Sequence, residues 1–117
     1  MKELIFAKSS SNPDSSYSVS FLVEDRKLSI HCSCDAGMRG QLCKHKLAFL
    51  RGDISMLADP REKSKLEKIV DLVKRTELTQ LVESYFSKEK EAEKLKKQIA
   101  DLKHGLARKM RDGVNAQ

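Results

Sequence analysis

The feature that most constrains this sequence is a cluster of cysteine and histidine residues between positions 31 and 45. All three cysteines of the 117-residue chain and two of its three histidines lie in this short stretch. The cysteines begin a pattern of Cys-x-Cys, eight residues, and Cys-x-His, whose members are Cys32, Cys34, Cys43 and His45. An odd number of cysteines cannot form a closed set of disulfides. Three thiolates and one imidazole do make a complete tetrahedral ligand set for zinc.

The spacing of these residues fits such a site and predicts local structure around it. Residues two apart in a strand project to the same face, so Cys32 and Cys34 can direct both sulfur atoms to one point. Residues two apart in a helix point to nearly opposite sides. We therefore expect Cys43 at or before the N-cap of a short helix, where the helix N-terminus favours a thiolate, and His45 in its first turn. A closed four-ligand site has no position for water, which predicts a structural zinc.

Two other interpretations of the cluster are weighed against zinc. A redox pair more commonly has the spacing Cys-x-x-Cys at the start of a helix, and no such pair exists in this chain. His31 could replace His45 as the fourth ligand. However, alternation along the strand places His31 on the face opposite Cys32, as an ordinary strand residue.

Alternating apolar residues predict three strands before the helix. They cover residues 2–8, 17–23 and 28–33, and the turn between the last two has the length of a hairpin connection. Tyr17 and Phe21 are predicted to lie on the buried face, as is Phe49 in the following helix.

The loop and helix that follow the strands contain the remaining local signals. Residues 35–41 are predicted to form a loop in which Gly37 and Gly40 let the chain turn back over the metal. Residues 43–51 are predicted to form the short helix, which ends at Gly52. Its core candidates are Leu47, Ala48 and Leu50.

The composition changes after Asp59-Pro60, where two helical patterns begin. Residues 62–86 have a wide apolar stripe. Residues 87–111 form a second pattern, with Ser87 as candidate N-cap. Its apolar residues follow the steps of a heptad seam and are Ala92, Leu95, Ile99, Leu102 and Leu106. The seam either packs against the 62–86 helix or mediates self-association, and the two patterns form either one long helix or a hairpin.

The cysteine–histidine pattern resembles the SWIM-type zinc finger, whose ligands follow C-x-C, a variable gap and C-x-H. The resemblance covers residues 15–58 and includes the alternating strand from Tyr17, the small polar residue between the first two cysteines, and the sequence CKHKLA from Cys43. Asp35 stands where members of the family often have proline. The resemblance implies a ββα zinc module that binds DNA or proteins.

These observations together predict an α+β fold with two parts. Residues 1–60 form a small zinc-stapled ββα module with an additional N-terminal strand. Residues 61–117 form a helical tail with a possible coiled coil. The self-association seam consists of Leu95, Ile99, Leu102 and Leu106, which predicts a homodimer.

The charge distribution indicates a polyanionic partner. The net charge is +6, and the segment from Arg26 to Arg51 has six basic residues and a single acid, Asp35. Basic surfaces of this kind attract nucleic acid. We predict weakly sequence-specific contacts through Arg39, Lys44, Lys46 and Arg51. The seven basic residues of 94–111 are equally compatible with a solvated helix face. The alternative function is a protein–protein adaptor or regulatory subunit that binds a partner protein through both parts.

Several function classes are disfavoured by what the sequence lacks. No apolar run approaches the roughly 20 residues of a membrane helix. The apolar run at the N-terminus is also too short for the hydrophobic region of a secretory signal. A cytoplasmic protein is therefore expected. There is no recognisable Ser/His/Asp set, pair of buried carboxylates or glycine-rich phosphate loop, so we expect a protein without enzymatic activity.

Overall fold

The computed structural model describes residues 1–116, and its fold is α+β, as predicted. Within this range the chain forms three strands and four helices in sequence order. They are β1 (Lys2–Lys8), β2 (Ser16–Glu24), β3 (Lys27–Cys32), α1 (Asp35–Met38), α2 (Lys44–Leu50), α3 (Lys63–Val73) and α4 (Leu78–Asp112). Two short 3₁₀ turns, Ile54–Met56 and Pro60–Glu62, connect α2 to α3.

The three strands form one antiparallel sheet in the order β1-β2-β3. Val19 of β2 is opposite Ile5 on one side and Cys32 on the other. The β2–β3 hairpin turns on Asp25 and Arg26, which have φ angles of 50° and 65°. Positive φ at both central residues is typical of the type I′ turn, whose twist matches that of the flanking strands. The register of this hairpin places Cys32, the last residue of β3, opposite the buried Val19.

The outer edge of β1 is covered by the segment that precedes α3. The Ala58 N–H donates to the Phe6 carbonyl at 2.9 Å, and the Phe6 N–H donates to Oε1 of Glu62 at 3.2 Å. An isolated bridge also pairs Ala7 with Leu57. These bonds satisfy backbone groups that an open strand edge would leave exposed, and they fix the entry of the chain into α3.

The core lies between one face of the sheet and helices α2 and α3. Its apolar members other than the cysteines are Ile5, Ala7, Val19, Phe21, Phe49, Leu57, Leu66, Ile69 and Val73, all at most 2 % exposed. The prediction that Phe21 and Phe49 are core residues is confirmed. The core candidates Leu47, Ala48 and Leu50 are only partly buried, because Phe49 occupies the inward face of the short helix.

Residues Met1–Val82 form one compact unit, and the residues from Glu83 onward form a second. The predicted division between residues 60 and 61 falls inside the first unit. Leu66, Ile69 and Val73 of α3 belong to the same buried cluster as the sheet residues. Helix α3 is therefore a layer of the module.

The helical patterns divide at a different position from the one expected. Residues 62–86 are not one helix, because α3 ends at Val73 and α4 begins at Leu78. The Thr76 hydroxyl donates to the Val73 carbonyl at 2.7 Å and accepts from the Leu78 N–H at 3.2 Å. The Val73 carbonyl also accepts from the Thr76 N–H at 2.9 Å and from the Thr79 hydroxyl at 3.0 Å. The Thr76 hydroxyl therefore shares the end of α3 with two other donors and satisfies the Leu78 N–H at the start of α4.

Helix α4 continues without a break from Leu78 to Asp112. Ser87 lies inside it, so the prediction of an N-cap at this residue is wrong, and residues 78–112 are one helix. No helix within residues 1–116 is both long and apolar enough to cross a membrane.

Candidate metal centre

Four different local structures place the four predicted ligands. Cys32 is the last residue of β3, Cys34 is the N-cap of α1, and Cys43 is the N-cap of α2. His45 follows in the first turn of α2, so the expected positions of Cys43 and His45 are confirmed. All four side chains are buried, with exposures of 3–6 %.

The ligand atoms of these residues converge on one point. They all lie within 4.8 Å of one another, and Sγ of Cys32 is 3.7 Å from Nδ1 of His45. All three thiols are free. A tetrahedral zinc ion with Zn–S bonds of about 2.3 Å holds its sulfur ligands about 3.8 Å apart. The four side chains therefore form a group that could hold a metal ion, and its donor set fits zinc.

Backbone N–H groups donate to two of the three sulfur atoms. The Gly37 N–H donates to Sγ of Cys34 at 3.3 Å, and the Lys46 N–H donates to Sγ of Cys43 at 3.4 Å. Although burial alone would raise the pKa of Cys34, the Gly37 N–H and the neighbouring thiols lower it below the usual value. The shift at Cys34 favours the thiolate form, which is the form that binds metal.

Cys32 has the opposite electrostatic environment. Burial raises the pKa of Cys32 to about 12; the Cys34 backbone N–H acts against this increase, and the thiols of Cys34 and Cys43 add to it. Three neighbouring thiols in a buried site resist ionising together, because each thiolate repels the next. A divalent cation at the centre would reverse this balance, since a coordinating thiol loses its proton.

The imidazole of His45 is held in place by its surroundings. Its ring packs on Tyr17, with 5.0 Å between ring centroids. Burial, and then the charge of the neighbouring Lys44 ammonium, lower the pKa of His45. The Lys8 backbone raises this pKa by a smaller amount. Among the described residues, its buried Nε2 has no hydrogen-bond partner. The neutral imidazole that results is the form that coordinates metal.

Gly37 has a role that the sequence does not reveal. A Cβ atom at this position would lie 2.3 Å from the carbonyl oxygen of Cys32 and 2.7 Å from its Cβ. Gly37 has ordinary helical backbone geometry in α1. Glycine is therefore needed here because a larger side chain would not fit, and not because of the φ angle. The expectation of a simple loop over residues 35–41 is wrong, because residues 35–38 form a helical turn. Gly40, with a φ of 72°, does make the chain reversal that was expected of both glycines.

His31 lies outside the cluster and is exposed. It is opposite Ser20 in the β2–β3 register, on the face of the sheet away from the core. The interpretation of His31 as an ordinary strand residue is confirmed by its position.

The predicted nucleic-acid-binding residues lie on α1, α2 and the adjoining loop. The Lys44 ammonium donates to the Ser10 hydroxyl, and the Lys46 ammonium donates to the Gln41 carbonyl at 3.3 Å. The two lysines therefore point in different directions from the first turn of α2. Arg39 and Arg51 are the C-cap residues of α1 and α2, and both are exposed. Lys46 is the lysine that reaches the loop containing Arg39.

The predicted self-association seam is exposed along α4. Leu95, Ile99, Leu102 and Leu106 are 57–68 % exposed. The 62–86 helix, one of the two predicted partners of the seam, does not form. Residues 78–86 of that segment belong to α4 itself, and α3 buries its apolar stripe in the core.

Comparison with known proteins adds no family assignment. No family model, curated protein or solved structure matches this chain. The conclusions about the site therefore depend on the geometry and chemistry of the cluster formed by Cys32, Cys34, Cys43 and His45.

Proposed function

We propose that this protein is a non-enzymatic zinc-binding module of the SWIM type that contacts nucleic acid and associates through α4. The observation that carries the proposal is the convergence of three buried thiols and one buried imidazole. Zinc binding in such small modules contributes folding free energy of about 10–16 kcal/mol at neutral pH. A single ion would thus connect the end of the sheet to the starts of α1 and α2.

The basic residues next to the metal ligands support nucleic acid as the partner. Within residues 1–116, Arg39, Lys44 and Lys46 form no ion pair with an acidic side chain. Lys44 and Lys46 flank a proposed ligand, His45, so metal binding would fix their backbone positions. Cations held in this way are suited to phosphate contacts.

The aromatic residues of the compact unit support weak sequence specificity. Phe21 and Phe49 are fully buried, and Tyr17 packs against His45. None of these three rings is available as a platform for stacking bases, which leaves Phe6 on β1, 38 % exposed, as the single accessible Phe or Tyr ring of the unit. Binding should therefore be directed to the backbone and should weaken strongly with salt.

The binding test measures the affinity of the protein for fluorescent duplex and single-stranded DNA between about 50 and 200 mM salt, a range over which phosphate contacts weaken markedly. The test variant replaces the four basic residues Arg39, Lys44, Lys46 and Arg51 by Glu. A matched control replaces four exposed lysines elsewhere in the unit by Glu: Lys27, Lys63, Lys68 and Lys74. We expect loss of binding in the first variant, a much smaller decrease in the control, and equal zinc content in both.

A protein–protein adaptor is the second candidate, and the exposed apolar residues of α4 favour it. If the unmodified protein is not retained on DNA or RNA at low salt, the nucleic-acid proposal fails and the adaptor takes its place. Equal loss of DNA binding in the two Glu variants would also contradict a specific basic surface, because it would reflect net charge alone.

A further inference from the structure

The continuity of α4 joins the two helical patterns into one heptad register. With Ala92 at position a, the a positions are Leu78, Tyr85, Ala92, Ile99 and Leu106, and the d positions are Leu81, Lys88, Leu95, Leu102 and Lys109. The apolar seam thus extends well before residue 92. Lys88 interrupts the seam, and Lys109 is its last residue.

The apolar residues of this seam beyond Val82 have little cover within the chain. Their exposures run from 38 % for Tyr85 to 68 % for Leu102. A row of large apolar side chains at heptad spacing is a surface for pairing with another helix. The charges along the seam indicate which helix that is and in which direction it runs.

We propose that α4 pairs with α4 of a second copy in the antiparallel direction, about a centre between residues 93 and 94. In this register Tyr85 faces the partner's Leu102 and Ala92 faces the partner's Leu95. The inference deepens the association through α4 that is part of the proposed function, and it specifies the partner and its orientation.

The lysines of the seam favour the antiparallel direction. A parallel pair would place Lys88 against the partner's Lys88, and Lys109 against the partner's Lys109, inside the interface. The antiparallel pair places Lys88 opposite the partner's Ile99 and Lys109 opposite the partner's Leu78 instead. The aliphatic stem of a lysine can pack on such a residue while its ammonium group reaches water.

The flanking charges select the register. In an antiparallel pair the e positions of the two helices face each other, and the proposed register brings Glu89 to the partner's Lys96 twice, by symmetry. A shift of one heptad in one direction would bring Lys96 against the partner's Lys96, although Glu89 would then face the partner's Lys103, and a shift in the other direction would bring Glu89 against the partner's Glu89. The proposed register keeps the attractive pairs without such a like-charge pair, which favours it.

The in-helix contacts leave Glu89 available for this role. Oε1 of Glu89 accepts a hydrogen bond from the Tyr85 hydroxyl at 2.6 Å, a neutral donor that leaves the carboxylate charge uncompensated. A parallel pair would place Glu91 against Lys96, and the exposed ion pair of Glu91 with Lys88, at 3.4 Å, competes only weakly with that contact. The choice of direction therefore depends on the lysines of the seam.

Charge reversal tests the orientation in the full-length protein. Lys96→Glu should weaken dimerisation about tenfold in sedimentation experiments, because two attractive pairs become repulsive. Adding Glu89→Lys should restore the affinity, whereas adding Glu91→Lys should not. Restoration by Glu91→Lys alone would show a parallel pair and overturn the proposed orientation. A monomeric unmodified protein at tens of micromolar (roughly the concentration where a weak pair still forms) would overturn self-association itself.

Cysteine cross-linking provides a second measurement that does not depend on charge. A mixture of the Tyr85→Cys and Leu102→Cys proteins, both loaded with zinc, should form a disulfide-linked dimer under mild oxidation. Neither protein alone should do so, and the unmodified protein is the control for its three native cysteines. Cross-linking of Leu102→Cys with itself would contradict the antiparallel pair. Zinc content, measured in the same samples, shows whether zinc binding has been lost separately from dimerisation.

Discussion

At the scale of single residues, local spacing in the sequence predicts some features of the candidate metal centre but not others. The Cys43-x-His45 spacing excludes a position wholly inside a helix, and this argument alone places Cys43 at the N-cap. The contact between Gly37 and Cys32 joins residues whose backbones meet only after the chain has turned. Spacing along the sequence carries no information about such an approach.

The glycines of the connecting segment give a residue-scale prediction. Gly37→Ala should abolish stable zinc binding, because its methyl group would collide with the Cys32 backbone. Gly40→Ala is the matched control: it has no neighbour within 4 Å and only its φ of 72° to accommodate. It should keep its zinc and lose about 1 kcal/mol of stability. Zinc per chain after dialysis is the readout, and a Gly37→Ala protein with full zinc would refute the steric argument.

At the scale of elements, the strands and α2 follow from the sequence because their signals are local. Alternation sets the face of each strand, and Cys43 marks the start of the helix. The break between α3 and α4 has no such signal, since residues 74–77 contain neither Gly nor Pro. At the break, the Thr76 and Thr79 hydroxyls both donate to the Val73 carbonyl, and the Thr76 hydroxyl also accepts from the Leu78 N–H. Periodicity also shows that residues 62–73 have an apolar face without showing that the sheet covers it.

The junction between α3 and α4 provides the element-scale prediction. Thr76→Val keeps the shape of the side chain but removes the hydroxyl that bonds to Val73 and Leu78. It should destabilise the compact unit by about 0.5–2 kcal/mol, the usual cost of losing a helix cap. Ser84→Ala, at an exposed position inside α4, is the control and should change stability little. Equal unfolding midpoints for Thr76→Val and the unmodified protein would contradict the assigned role.

At the scale of the whole molecule, a small sheet and two helices share one modest core with the four proposed metal ligands. Cys32, Cys34 and Cys43 belong to the same buried cluster as Ile69 and Val73 of α3. Small cores of this size commonly need a staple such as a structural metal. The module that depends on zinc should therefore extend from residue 1 to residue 82, beyond the 15–58 segment that resembles the SWIM family.

Removal of the metal tests this extent. A strong chelator should unfold the sheet together with α2 and α3, while helical signal from the distal part of α4 remains. Hydrogen exchange measured by residue segment would separate the two, with protection lost in 1–82 and retained beyond residue 83. Protection that persists in α3 after the sheet has lost it would show that α3 is not part of the zinc-dependent module.

The central claim is that Cys32, Cys34, Cys43 and His45 hold one zinc ion. Elemental analysis of the freshly purified protein tests it most directly, since it requires neither a partner nor an assay of activity. The geometry of the cluster predicts one zinc per chain. A protein that is folded and free of stoichiometric zinc would contradict the claim.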